Sequence, residues 1–256
     1  MKYELFNADC LEKMKDIPDK SIDLILCDLP YGTTKCKWDV IIPFESLWIN
    51  YNRIIKDNGV IALFGTEPFS SKLRMSNLKM YKYDLYWEKE KPVNFLQLKK
   101  RFGKKTENIC IFYKNQPYYN PQKYKTDKLV TNNPRQKDNS SIVSAIGFKN
   151  INKYKDDGSR FPCDILRFNR VALGKSLHPT EKPVALLEYL IKSYTRESEL
   201  ILDNCMGSGS TGVACINTNR NFIGIEKNNY YFEIAKKRLE EAEKDKETML
   251  DFGEAI

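Results

Sequence analysis

Four short apolar runs constrain this chain more than any other feature: IDLILCD (22–28), GVIALFG (59–65), ELILDN (199–204) and NFIGIE (221–226). IDLILCD is nearly continuous rather than alternating, as a strand buried on both faces of a parallel sheet requires. YELFN (3–7), YDLYWEK (83–89) and ENICIFYK (107–114) add further strands. Helical spacing fills the intervals. In PFESLWINYNRIIKD (43–57) the apolar residues Phe44, Leu47, Trp48, Tyr51, Ile54 and Ile55 fall on one helical face, and Asn58-Gly59 supplies the stop. A short helical stretch follows Cys10, and EPFSSKLRMSN (67–77) reads as a helix with proline in its first turn. PTEKPVALLEYLIKSYT (179–195) is a helix with Thr180 as candidate N-cap. GSTGVACINTN (209–219) is one beginning in glycines, and NNYYFEIAKKRLEEAEKD (228–245) is charged and solvated. The alternation predicts an α/β fold: an open, mostly parallel sheet with helices on both faces.

The chain of 256 residues suits one large domain with an insertion. From Asn115 to about Ser159 the periodicity breaks into a segment rich in Pro, Asn, Gln and Lys with interleaved tyrosines, and it returns at CDILRF (163–168). Residues 1–114 and 160–256 therefore form the main domain, and 115–159 a loop-rich insertion. No run approaches the roughly 20 apolar residues of a membrane span. The opening MKYELFNADCLEKM lacks the apolar core of a signal peptide, so a soluble cytoplasmic protein is expected. Seven cysteines include no CxxC pair, and His178 is the sole histidine, which argues against zinc and disulfides. The expectation is buried reduced thiols and no metal. A formal net charge of +8 points weakly to a polyanionic partner.

Parallel sheets bind ligands beyond the carboxyl ends of their strands. At one such end, LILDNCMGSGSTGVACI places Asp203 before the Gly207-Ser208-Gly209 turn and a helix, and NFIGIE ends the next strand in Glu226. Glycines admit close backbone approach, and an acid at the second strand end can accept both hydroxyls of a ribose. Gly207, Gly209 and Gly212 leave a dinucleotide open, but Asp203 is unfavourable beside a pyrophosphate and suits a cationic ligand such as S-adenosylmethionine. The stretch CDLPY ends another strand in Asp28, Leu29, Pro30 and Tyr31. By itself it is equally a strand end with an X-Pro turn. Read as chemistry, it can hold an aromatic amine, whose lone pair is delocalised into its ring. The Asp28 carboxylate and the Leu29 carbonyl accept its two hydrogens and favour a more tetrahedral nitrogen. Pro30 stiffens the carbonyl's direction, and Tyr31 stacks on the ring.

Together these segments resemble the amino-directed DNA methyltransferases in which the catalytic motif precedes the cofactor motif. DLPY is similar to the family's (D/N/S)PP(Y/F) element, with Leu29 in place of proline. DNCMGSGSTG resembles its DPFxGSGTT loop, with Asn204 and Cys205 in place of Pro-Phe. HPTEKP (178–183) resembles its HPT(Q/E)KP element, and NADCLEKMKDIPDKSIDLILCDLPYG matches the start of such enzymes. The resemblance spans nearly the whole chain. It implies a Rossmann-like S-adenosylmethionine-dependent methyltransferase fold, a flipped target base in double-stranded DNA, and dimerisation. Aspartate at position 28 is similar to the adenine-N6 enzymes; serine is commoner in cytosine-N4 enzymes, which stay the alternative. A non-catalytic DNA-binding subunit of the same fold is the rival from another class.

The roles implied are these. Asp28, Leu29, Pro30 and Tyr31 are catalytic. Asp9 and Cys10 lie by the cofactor adenine, and Asp203, Asn204, Gly207, Ser208 and Gly209, with Asp28, line its methionine side. Glu226 takes the ribose, and Thr180 and Lys182 reach the cofactor carboxylate. His178 is structural. Phe64 and Glu67 either flank the base or serve as a core ring and a first-turn acid. Lys99, Lys100, Arg101, Lys104 and Lys105 meet DNA, and the insertion 115–159 recognises the target sequence.

Overall fold

The computed structural model describes residues 2–33, 36, 39–127, 157–172, 174, 177–178 and 180–253. An eight-stranded sheet runs β1 (Tyr3–Phe6), β10 (Asn221–Ile225), β9 (Leu200–Asp203), β2 (Ile22–Cys27), β3 (Ile55–Gly65), β5 (Thr106–Phe112), β4 (Tyr81–Glu88) and β8 (Ile165–Arg167). The pairs from β1 to β3 are all parallel, β5 runs antiparallel to both its neighbours, and β8 is parallel to β4.

Alternation along the buried strands sends side chains to two separate cores. Ile25 and Cys27 of β2, Ile61 and Leu63 of β3, and Cys110 and Phe112 of β5 enter one. Leu24 and Leu26, Val60, Ala62 and Phe64, and Ile109 and Ile111 enter the other. Helix α1 (Cys10–Lys13), α2 (Phe44–Ile54) and α3 (Phe69–Ser76) cover the first face through Cys10, Leu47, Tyr51, Ile54, Phe69 and Leu73. Helix α4 (Val184–Tyr194), α5 (Ser210–Asn217) and α6 (Asn229–Gly253) cover the second through Leu186, Leu190, Ala214, Cys215, Ala235 and Leu239. Each such aliphatic side chain contributes roughly 1.5–3 kcal/mol when fully buried.

Two local expectations are corrected. Helix α2 ends at Ile54, and Asn58-Gly59 lies inside β3, where the register shifts between Ile22 and Leu24. A side chain at Gly59 would press on Ile55 and on the Asp23 carbonyl, so glycine marks a close strand approach rather than a helix stop. Thr180 does not cap α4, whose N-cap is Pro183 without a side-chain bond; its hydroxyl instead lies 3.1 Å from His178 Nδ1.

The chain divides into two compact units, one made of 1–120 and 164–256 and the other of Pro121–Cys163. Within that unit β6 (Tyr124–Lys125) pairs antiparallel with β7 (Ser159–Arg160), and Lys123 lies over the Phe161 ring. Most of the sequence-defined insertion 115–159, from 128 to 156, lies outside the described residues. Among the described residues no helix is long and apolar enough to cross a membrane, and no group of three or more His, Cys, Asp or Glu could hold a metal ion.

Candidate active site and cofactor cavity

The chain reverses its direction of travel across the sheet between β2 and β9: β2 leads on to β3, whereas β9 leads to β10 on the other side. At such a switch point the strand ends diverge and leave a crevice. The register pairs Ile25 with Leu202, so Asp203 comes level with Leu26 and Asp28 stands two residues further along the neighbouring strand. A cavity of about 630 Å³ opens there. Its lining includes Asp9, Cys10, Asp28, Leu29, Pro30, Tyr31, Phe64, Thr180, Lys182, Asp203, Asn204, Gly207, Ser208 and Glu226. All the candidate catalytic residues meet in it, and of the candidate cofactor residues only Gly209 does not line it. Gly209 has φ +80° as the N-cap of α5, and a side chain there would press on Ala235 and Leu239, so its role is helix packing.

The glycine turn and Glu226 are wired together. Glu226 accepts from Gly207 N at 2.9 Å and Asn228 N at 2.7 Å. Asp203 is 4% exposed and accepts from the Thr211 hydroxyl at 2.6 Å and Cys205 N at 3.1 Å. Burial pushes its carboxyl up to about 6, against those hydrogen bonds. Asp9 caps α1 through Leu11 N and pairs with Lys227 at 3.0 Å. Asn204 accepts from the Tyr51 hydroxyl at 2.6 Å, so the residue replacing the family's proline is anchored to α2. Cys205 packs against the first core.

The segment carrying His178 is held from α6. Arg238 pairs with Glu181 at 2.8 Å and donates to the Ser208 carbonyl at 3.2 Å, tying it to the glycine turn. His178 stacks edge-on against Tyr231, and burial lowers its imidazole to about 4, so the ring is neutral near pH 7. Those contacts suit the structural role expected of it. Glu67 binds Ser71 in the first turn of α3 and pairs with Arg74, the bland alternative for that residue.

Around Asp28 the structure adds charges that the motif reading missed. Lys182 donates to Asp28 Oδ2 and lies 3.1 Å from Glu107, and Lys89 pairs with Glu107 at 2.7 Å. The Lys182 ammonium stands 5.0 Å above the Phe64 ring. The Tyr31 hydroxyl bonds Asp28 Oδ1 and lies 3.1 Å from Glu107 Oε1, its one proton serving two carboxylates. Phe69 packs on the Tyr31 ring with centroids 4.8 Å apart. Lys182 thus pairs with Asp28 while also lining the cavity. The group is balanced, two acids against two ammoniums. Burial, opposed by Lys182 and reinforced by Glu107, raises the Asp28 carboxyl. Burial alone would raise Glu107 as well, but Lys182 and Lys89 hold it down to about 2. Tyr31 is raised well above an ordinary phenol by burial and by both carboxylates, so it stays protonated. The Leu29 carbonyl accepts no hydrogen bond among the described residues, although Leu29 lines the cavity. A signal for Glu107 existed in the sequence: it shares strand parity with the buried Ile109 and Ile111.

Of the basic candidates, Lys99, Lys100 and Arg101 are exposed, with no carboxylate in ion-pair range among the described residues. Lys104 is half-buried, and Lys105 pairs with Glu88 at 3.3 Å.

A DNA methylase family model covering N6 and N4 methyltransferases matches residues 22–237. The chain belongs to this family. It is an amino-group DNA methyltransferase of the adenine-N6/cytosine-N4 class. Among relatives, the Type II methyltransferase M.HinfI of Haemophilus influenzae is 30% identical, over 93% of this chain and 68% of that one. The DNA adenine methyltransferase YhdJ of Escherichia coli (strain K12) is 27% identical, over 93% and 83%. Among solved structures, the methyltransferase M1.HpyAVI in complex with S-adenosylmethionine superposes with a TM-score of 0.62 at 26% identity, covering 93% of this chain and 100% of that one.

Proposed function

We propose that this methyltransferase acts on the N6 amine of adenine in double-stranded DNA, with S-adenosylmethionine as donor, after the target base has turned out of the duplex. One observation carries the reading: Asp28 stands at the end of a buried strand, next to the Leu29 carbonyl, which accepts no hydrogen bond among the described residues, in the cavity that also holds Gly207 and Glu226. Aspartate at position 28 is the pattern of the adenine enzymes the sequence resembles, and YhdJ bears adenine in its name.

The residues present fit a cationic, ribose-bearing donor. Asp203 offers a buried carboxylate to a positive charge, Glu226 has carboxylate oxygens for ribose hydroxyls, and Asp9 and Cys10 line the same cavity. Gly207 and Ser208 allow close approach, and Thr180 borders the same space. Bound there, S-adenosylmethionine supplies an electrophilic methyl group. Asp28 and the Leu29 carbonyl each accept one N–H of the target amine, which directs its lone pair outward. The methylated nitrogen then releases a proton to Asp28, whose raised affinity for protons suits that step. Tyr31 and Phe64 bound the base, and positioning supplies most of the acceleration. The exposed Lys99, Lys100 and Arg101, with Lys104 and Lys105, bind phosphates, and the insertion 115–159 reads the sequence.

The test is to treat unmethylated DNA with enzyme and labelled S-adenosylmethionine, digest it to nucleosides and identify the product. N6-methyladenosine is expected in its deoxy form. Methylated N4 of cytosine would replace the adenine assignment with the family's other chemistry, and no transfer to any DNA would end the reading.

Cofactor affinity should depend on pH through Asp203. A cation prefers the ionised carboxylate, so binding tightens as pH rises through about 6. Between pH 5 and 7 the dissociation constant is expected to fall about tenfold. Without the cation the sign reverses for stability. A raised acid stabilises the fold below its unfolded value of 3.8 and loses that contribution as pH rises through about 6. Calorimetric titration of S-adenosylmethionine checks this, with Asp203→Asn expected to flatten the profile. An equally steep profile in that variant would exclude Asp203 as the responsible group.

A further inference from the structure

The connection from β4 to β5 carries an unusual set of exposed apolar side chains: Val93, Phe95, Leu96, Leu98 and Phe102. Phe102 is 98% exposed and Leu96 85%. Leaving such side chains in water forfeits their burial energy, which marks a surface made to meet something. The connection is a built finger. Lys89 N donates to the Lys105 carbonyl at 2.8 Å and Val93 N to the Lys104 carbonyl at 2.9 Å. Asn94 then ties both sides, donating to the Phe102 carbonyl at 3.1 Å and accepting from Lys104 N at 2.6 Å. Lys100 N and Arg101 N both donate to the Gln97 carbonyl, which turns the tip. The roots of the finger lie at the catalytic group. Lys89 on one side pairs with Glu107, just past the other side, and Glu107 lies against Tyr31 and Lys182.

We propose that this finger enters the duplex beside the target base and that Phe102 fills the gap the base leaves. The proposal rests on the base-flipping reading and adds to it the group that keeps the base out. An extruded nucleotide leaves two neighbouring base pairs with bare π-faces, and an aromatic ring restores stacking between them. The flanking Lys99, Lys100 and Arg101 meet the phosphates on either side of the gap. Charge selects this occupant. An apolar patch that joins two copies of the chain is depleted of lysine, whereas here two lysines and an arginine directly precede Phe102.

The experiment compares wild type, Phe102→Ala and Phe102→Trp on two duplexes carrying the site mapped by modification-sensitive sequencing. One is fully paired. In the other an abasic linkage lies opposite the target base, so that turning the base out needs little help. Phe102→Ala is expected to lose roughly 10–100-fold in kcat/KM on the paired duplex and to approach wild type on the abasic one. Phe102→Trp is expected to keep activity on both, and S-adenosylmethionine affinity to be unchanged. With 2-aminopurine at the target position, the fluorescence rise given by wild type should shrink in Phe102→Ala. An equal loss on both duplexes overturns the proposal. So does a loss accompanied by dissociation of a dimer in sedimentation, which would assign the finger to a second copy of the chain. Wild-type enzyme that methylates neither duplex refutes the underlying reading instead, and the proposal with it.

Discussion

Replacing Asp28 with alanine is expected to cut single-turnover methyl transfer by roughly 10²–10³-fold, the loss typical of one preorganised charged hydrogen-bonding partner at a reacting centre. Affinity for S-adenosylmethionine should stay within a few-fold, because Glu226 and Asp203 remain. Asp28→Asn is the sharper variant. Its side-chain carbonyl still accepts an amine hydrogen but takes up a proton poorly, so activity should fall between alanine and wild type. The geometry behind this is direct: Asp28 lies just past the end of β2 beside the Leu29 carbonyl and is the carboxylate that Tyr31 and Lys182 both hold in place. Alanine with near-normal turnover would refute the assignment and return CDLPY to a plain strand end.

Replacing Lys182 with methionine should damage both stability and activity. Lys182 is 8% exposed and contacts two carboxylates that are 18% and 9% exposed. Its removal leaves Asp28 and Glu107 facing each other with Lys89 as the remaining ammonium of the group. Breaking a buried charge pair by removing one partner costs about 3–5 kcal/mol, measurable as a lower urea midpoint. Adding Glu107→Gln should recover part of that loss, because it removes one of the stranded charges. Acid unfolding gives an independent readout. Glu107 is depressed from 4.5 to about 2, so the stability it contributes is complete above about 4.5 and is lost as pH falls toward 2. In Lys182→Met its folded value should rise, and acid unfolding should begin at higher pH. Unchanged acid and urea midpoints would mean the ion-pair group adds nothing to the fold.

The same residues show how much could be read without coordinates. The strands β2, β3, β9 and β10 announced themselves because burial on both faces makes their central residues a nearly continuous apolar run. Asp28, Asp203 and Glu226 were conspicuous because each ends such a run, where a parallel sheet opens its crevice. Local turn chemistry was less legible. Asn58-Gly59 carries helix-stop residues but serves a strand irregularity, and Thr180 has cap chemistry but bonds His178. Tertiary contact overrode propensity at both.

What the amino-acid order settled by itself was the fold class and which carboxylates stand at the strand ends, since period and strand termini are local properties. What only the tertiary structure decided was the company Asp28 keeps. Lys182 is 154 positions away along the chain and Glu107 comes from the antiparallel β5, so no spacing rule joins them. Nor does sequence say that Phe102 stands in water on a finger rooted at that group. Electrostatic pairing and exposure depend on distances through space, and those exist only once the sheet has brought its strand ends together.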